Sequence, residues 1–292
     1  MNKTLVMYVV PKVSSYMSFP VIKATAEDSI LTVRDLMFKH RVGSVVIMED
    51  KRVVGIVCKG DFIKIAYNRK RYLKPLDTVK VDEIMTTPVY ATSPNKTIKS
   101  VANFMSKQGL SHLPVIDSNE ELVGIITKHD VLRAFSQKFY GMFKVSDFML
   151  DNPITVSPTH SIFYVVDALL KSSTGKVVVV GEGKPIGIIT KSDVLQPILN
   201  INAYLRSFSS SSKSIKSLYE VFKSSTILIA SDVMTADPII VSHNEDLAKA
   251  ADIMVKNRIG CLPVVNSKGT LVGLIVKDSI IKALKSMKTE SS

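Results

Sequence analysis

Tryptophan is absent from this 292-residue chain, and cysteine occurs only at Cys58 and Cys261. Two cysteines cannot build a disulfide framework, and alone they cannot complete a tetrahedral zinc site. No apolar run reaches about 18 residues, the length a helix needs to cross a bilayer, so no membrane partner is expected. Residues 1–11 hold one lysine and a short apolar stretch, without a longer apolar core or an Ala-x-Ala-like site. A secretory leader is therefore not expected, and the two thiols read as reduced and buried in a cytoplasmic protein. Aromatic residues make up only 7% of the chain, which leaves base-stacking platforms sparse. Gly-x-Ser-x-Gly, a Walker-type loop, His-Glu-x-x-His and Cys-x-x-Cys are all missing. The histidines at 40, 112, 129, 160 and 243 have no ligand spacing for a metal. The expectation is a protein that is not an enzyme, with no catalytic residue and no metal.

What is present suffices for a folded core: 46% of residues are hydrophobic and 22% charged. The net charge of +12 invites a nucleic-acid reading. The excess is local, however. Segment 67–80 carries five basic residues against one acidic, and 201–230 carries four against one. Segments 81–141 and 142–200 are each balanced. A charge run in a connecting segment is ordinarily a solvated face, so nucleic acid is a secondary partner reading, resting on 67–80 and 201–226.

A fourfold repeat organises the chain. One phrase, an apolar residue, Gly, two or three apolar residues and a polar helix start, recurs at Val54–Asp61, Val123–Asp130, Ile186–Asp193 and Val272–Ser279. A second phrase lies upstream of each copy: a short helix-like segment ending in Met17, Met85, Met149 or Met234, followed by Pro20, Pro88, Pro153 or Pro238. Both phrases keep the same register, so chance is a poor explanation. In the second copy, Ile98, Val101, Ala102 and Met105 have helical spacing, and Gly109 stands where a helix should stop. Two apolar strands follow, Leu113–Ile116 and Leu122–Ile126, around an Asp-Ser-Asn-Glu turn, and a helix starts at Thr127. The unit is β-α-β-β-α, an α/β (α+β) arrangement. The expected repeats span 13–66, 81–140, 145–199 and 230–286, with a basic, Ser-rich insertion at 200–226. In that insertion Ile201, Tyr204, Leu205 and Phe208, and again Ile215, Leu218, Tyr219 and Phe222, have helical spacing.

These pieces resemble the CBS domain, named after cystathionine β-synthase. The resemblance rests on the Met-x-x-Pro or Met-x-x-x-Pro opening, the Leu-Pro-Val strand at Leu113–Val115 and Leu262–Val264, and the Gly-apolar-apolar-Thr-x-x-Asp close. It implies four repeats paired in sequence order, one with two and three with four, into two pseudo-twofold modules. It also implies a non-catalytic regulatory or sensor role and an adenosine-containing ligand, such as AMP, ADP, ATP or S-adenosylmethionine, in clefts between paired repeats. Modules of this kind stack, within one chain or as a homodimer, and act on a regulated partner protein.

The resemblance places ribose and phosphate contacts at Thr127 with Asp130 and at Thr190 with Asp193. Asp61 matches too, but Cys58 stands in place of its threonine; in the fourth repeat Val276 and Ser279 replace both residues. A carboxylate accepts hydrogen bonds from both ribose hydroxyls, and a threonine at a helix start suits a phosphate oxygen. The same Thr-x-x-Asp pattern is also a helix cap that needs no ligand. The position two before the Leu-Pro proline is Ser44, His112, Lys176 and Cys261 in turn, making Lys176, and His112 when partly charged, phosphate candidates. Arg258 is a weaker one. The adenine pocket implied by the resemblance comprises Ile125, Ile126, Ile188 and Ile189 with Pro88, Val89, Pro153 and Ile154, although the isoleucines equally fit the core.

Overall fold

The computed structural model describes residues 10–62, 78–194, 197 and 228–287. Segments 67–77 and 201–226, which carry half of the net positive charge, and the helical spacings expected within 200–226 lie outside the described residues. Each repeat opens with one helical turn: Val13–Ser15, Val81–Glu83, Val145–Asp147 and Ala230–Val233. An amphipathic helix follows, α1 (Ile30–Lys39), α2 (Ile98–Gln108), α4 (Ile162–Lys171) and α5 (Leu247–Lys256), with α3 (Lys128–Lys138) and α6 (Lys277–Ser286) closing repeats two and four. The side chains of Ser29, Thr97, Ser161 and Asp246 each accept the N–H three residues on and so fix where the first helices begin. Gly109 ends α2 in the left-handed region at φ 66°, which a side chain would resist.

The apolar runs form antiparallel hairpins: β1 (Ser44–Glu49) with β2 (Arg52–Cys58), β3 (His112–Ile116) with β4 (Leu122–Thr127), β5 (Lys176–Gly181) with β6 (Lys184–Thr190), and β7 (Cys261–Val265) with β8 (Leu271–Val276). Two-residue strands at Lys23–Ala24, Thr155–Val156 and Val241–Ser242 run parallel to β1, β5 and β7. In repeat two the corresponding pairing shrinks to the bridge Thr92–Val115. This is the α+β architecture and the β-α-β-β-α order expected of each unit.

Paired repeats exchange their opening segments. Ser18 of repeat one bridges Ile125 of repeat two, and Thr86 of repeat two bridges Ile56 of repeat one. Leu150–Asp151 of repeat three joins β8 of repeat four, and Thr235–Ala236 of repeat four joins β6 of repeat three. The two sequence phrases meet through this exchange. The methionine of each repeat lies on the glycine of its partner: Met17 on Gly124, Met85 on Gly55, Met149 on Gly273 and Met234 on Gly187. A Cβ at Gly124 or Gly273 would stand 2.7 Å from the facing sulfur. The glycines are thus required by close approach of a partner side chain.

The modules then join through helices. α3 packs on α5, and α6 on α2 and α3. One core therefore serves repeats two and four, with Met105, Leu132 and Phe135 against Ala250, Ala251, Met254 and Leu284. Small alanines on α5 allow that close helix approach. Repeats one and three keep separate cores, around Val33, Met37 and Phe62 and around Val165, Leu169 and Val177. Stacking of the two modules is thus made within one chain. Among the described residues no helix is long and apolar enough to cross a membrane.

Candidate functional site

Strand alternation decides which of the paired isoleucines face a cleft. Ile126 and Ile189 are fully buried in the cores of repeats two and three, so they are not available to an adenine. The period of two along a strand turns their neighbours, Ile125 and Ile188, to the opposite face, where both are half-buried. In repeat three the Val178 N–H donates to the Ile154 carbonyl at 3.0 Å, Val178 pairs with Ile188, and Ile188 pairs with Thr235 of repeat four. Ile154 and Ile188 thus belong to one row across the sheet, with Pro153 half-buried just before it. Repeat two has the same row through Pro114, Ile125 and Ser18 of repeat one, flanked by exposed Pro88 and half-buried Val89. Phe19, Tyr90, Ile154, Ile239 and Ile240 are large apolar side chains left exposed just after the opening prolines or beside them. All four repeats thus present apolar surface beside this part of the sheet.

The polar end of each row is the helix start. In repeat three the N–H and Oγ1–H of Thr190 both donate to Asp193 Oδ2, each at 2.7 Å. Among the described residues, Asp193 Oδ1 has no hydrogen-bond partner. In repeat two the same cap forms: Thr127 N–H and Oγ1–H donate to Asp130 Oδ2 at 2.9 and 2.8 Å, and the His129 N–H donates back to Thr127 Oγ1 at 3.1 Å. There Oδ1 is taken by Arg133 at 3.1 Å, and Arg133 also donates to the Tyr16 carbonyl of repeat one. Burial pushes the Asp130 carboxyl up, against the Thr127 hydrogen bonds and Arg133, which pull it down. In repeat one the Cys58 N–H donates to Asp61 Oδ2 at 2.9 Å. In repeat four Ser279, 1% exposed, takes the Val276 N–H at 3.3 Å instead. Capping is realised in all four repeats, and an aspartate performs it in three.

Beside these caps lie the positions two before the Leu-Pro proline. His112 pairs with Thr127, and its Nδ1 lies 3.7 Å from Cys58 Sγ. Burial, then the ammonium groups of Lys277, Lys128 and Lys59, push its pKa down to about 4. The expectation of a partly charged His112 is therefore overturned: at pH 7 it is a neutral imidazole. Lys176 pairs with Thr190, donates to the Thr174 carbonyl at 3.2 Å, and has its pKa lowered first by burial. Neither Cys58 nor Cys261 is in a disulfide among the described residues; Cys261 is buried, and burial pushes its pKa up to about 11. Arg258 lies at the end of α5 with φ 53°. Among the described residues no group of three or more His, Cys, Asp and Glu is placed to hold a metal ion.

Sequence reasoning missed one feature that was in plain view. A lysine follows the cap position in every copy of the repeated phrase: Lys59, Lys128, Lys191 and Lys277. Among them, Lys128 of repeat two pairs with Asp278 of repeat four at 2.5 Å.

Comparison with known proteins accords with this architecture. The curated relative MJ1225 of Methanocaldococcus jannaschii is 25% identical over 256 residues, covering 84% of this chain and 87% of its own. Its crystal structure superposes with a TM-score of 0.75 at 21% identity, covering 94% of this chain and 99% of that one. An uncharacterised conserved protein from Pyrococcus horikoshii superposes with a TM-score of 0.64 at 20% identity, over 94% of this chain and all of that one. A 33.4 kDa protein of Thermofilum pendens is 32% identical over 176 residues, 56% of either chain. The CBS domain family matches at 13–68, 81–137, 145–200 and 230–286. Four matches in register, on units that exchange their opening segments in pairs, make this chain a four-repeat member of the CBS domain family.

Proposed function

We propose that the chain is a non-catalytic sensor that binds an adenosine-containing ligand, of the AMP, ADP, ATP or S-adenosylmethionine type, in the clefts of its two modules. The observation that carries this reading is Asp193. Its Oδ2 is held by the Thr190 cap while Oδ1, without a partner among the described residues, can accept from a ribose, at the end of an apolar row suited to a flat base. Thr190, at a helix start, and Lys176 beside it are the phosphate contacts in this cleft. The repeat-two cleft offers Asp130 and Thr127 in the same arrangement, but ribose there must displace Arg133 from Oδ1. Asp61 is the third acceptor. His112 contributes as a neutral donor, and Ile125, Ile188, Pro88, Val89, Pro153 and Ile154 contribute the adenine contacts. Likeness to MJ1225, described as a candidate archaeal homolog of g-AMPK, supports a regulatory role.

Calorimetric titration with AMP, ADP, ATP, S-adenosylmethionine and methylthioadenosine tests the reading. At least one is expected to bind, and Asp193→Ala is expected to weaken it about tenfold or more, as losing a charge-assisted hydrogen-bond pair does. Asp130→Ala is expected to have the smaller effect. Absence of binding by all five at high micromolar concentration, or unchanged affinity in an Asp130→Ala, Asp193→Ala double variant, overturns it.

A further inference from the structure

Arg133 of α3 joins partners from two repeats. Its Nη2 donates to Asp130 Oδ1 at 3.1 Å and to the Tyr16 carbonyl of repeat one. The guanidinium also lies over the Tyr16 ring, 5.6 Å from its centroid, within cation–π reach. One helical turn further along α3, Gln137 Oε1 accepts from the Tyr16 hydroxyl at 2.8 Å. Two residues on one face of α3 therefore grip Tyr16. Tyr16 is buried and stands directly before Met17, which lies on Gly124, and Ser18, which bridges Ile125. The gripped segment is thus the one that repeat one lends to the repeat-two cleft. Asp130 is 4% exposed, and the Thr127 cap already holds its Oδ2. A carboxylate so enclosed is costly without a partner, and Arg133 is the partner of its other oxygen.

The sequence sets this cleft apart from its counterparts. Three residues beyond the cap aspartate stands Lys64 in repeat one, Arg133 in repeat two and Gln196 in repeat three. Glutamine carries no charge to pair with Asp193. Lysine offers a single ammonium, whereas the planar guanidinium can hold a carboxylate and a carbonyl at once. We propose that Arg133 is a gate on the repeat-two cleft: it occupies the ribose acceptor, makes this cleft load after that of repeat three, and ties its loading to the opening segment of repeat one. This inference rests on the adenosine reading and adds its regulation. A ribose brings neutral donors, which must take Oδ1 from a charged one. Once displaced, Arg133 loses the carboxylate that orients it on Tyr16, so filling the cleft loosens the grip on repeat one. The coupling is reciprocal: loosening Tyr16 frees Arg133 to leave Asp130, which favours the ligand.

Calorimetry on the full chain in an Asp193→Ala background, where the repeat-three cleft is weakened, reads the gate. The probes are AMP, ADP, ATP, S-adenosylmethionine and methylthioadenosine in turn. Adding Arg133→Gln is expected to tighten the remaining binding about fivefold, the worth of a half-exposed ion pair. Adding Asp130→Ala as well is expected to abolish that gain, and Arg133→Lys to give a smaller one. The Arg133 side chain is half-exposed, so neither replacement opens a cavity in the core. Hydrogen exchange of the unliganded chain reads the grip without any ligand: Arg133→Gln is expected to speed exchange in 13–18. Affinity that Arg133→Gln leaves unchanged or weakens overturns the gate while the adenosine reading stands. Absence of binding by all five probes to the wild-type chain overturns that reading, and the gate with it. Unchanged exchange in 13–18 overturns the tie to repeat one.

Discussion

At the scale of single residues, the caps and the histidine carry the testable chemistry. The unfolded chain protonates His112 near the ordinary value of about 6.5, whereas the folded chain protonates it only near 4. Between those values the unfolded state binds more protons, so stability is lost as pH falls through the window, at up to about 1.4 kcal/mol per pH unit. Denaturant unfolding at pH 7 and pH 5 should show this fall, and His112→Asn should flatten it. His129 is shifted in the same direction, so some slope should persist in the variant; an unaltered slope overturns the assignment to His112. Thr127→Ala removes the oxygen that accepts from His129 and is expected to cost about 1 kcal/mol of stability, as losing a cap does. The Thr-x-x-Asp caps were legible in the sequence because capping is local chemistry. The charge state of His112 was not, because it depends first on its burial and then on lysines from three different repeats.

At the scale of elements, the repeated methionine and glycine are one device. Each exchange of opening segments places a thioether against a residue without a side chain. Gly187→Ala should push Met234 off β6, and Gly124→Ala should push Met17 off β4. Each is expected to cost about 1–3 kcal/mol as an overpacked contact. A Met234→Ala change made together with Gly187→Ala should recover part of that loss, and a chemical-denaturation double-mutant cycle measures the coupling. Additive losses would show that the two positions do not meet. The register of the two phrases was plain in the sequence, but their meeting across repeats follows only from the exchange. Ile125 with Ile126, and Ile188 with Ile189, differ in this respect. Strand alternation requires the members of each pair to face opposite ways, so a stricter period-two reading would have admitted only one member of each pair to a cleft, without saying which.

At the scale of the whole molecule, the four repeats do not share equally in the core. Repeats two and four are fused through α2, α3, α5 and α6, and repeats one and three attach to that centre through their exchanged segments. Leu284→Ala, in α6 and 1% exposed, should destabilise both halves of the shared core by about 2–5 kcal/mol. Hydrogen exchange read by mass spectrometry should then rise together in 98–108 and 247–256, two segments far apart in sequence. A rise confined to repeat four would contradict the single shared core.

The sequence by itself determined the four units, their internal order, the common register of their two phrases and the residues that cap their helices. Each of these follows from local spacing, hydrophobic period and turn chemistry, which act over a few residues. Only the tertiary structure decided which face of each strand meets a cleft, that His112 is neutral, and that the modules stack through repeats two and four. It also decided that Lys128 meets Asp278, 150 residues away in the chain, and that Arg133 meets Tyr16, 117 residues away. The physical reason is that electrostatic environment and burial are properties of neighbours in space. In this chain those neighbours come from different repeats, and no spacing within a repeat encodes them.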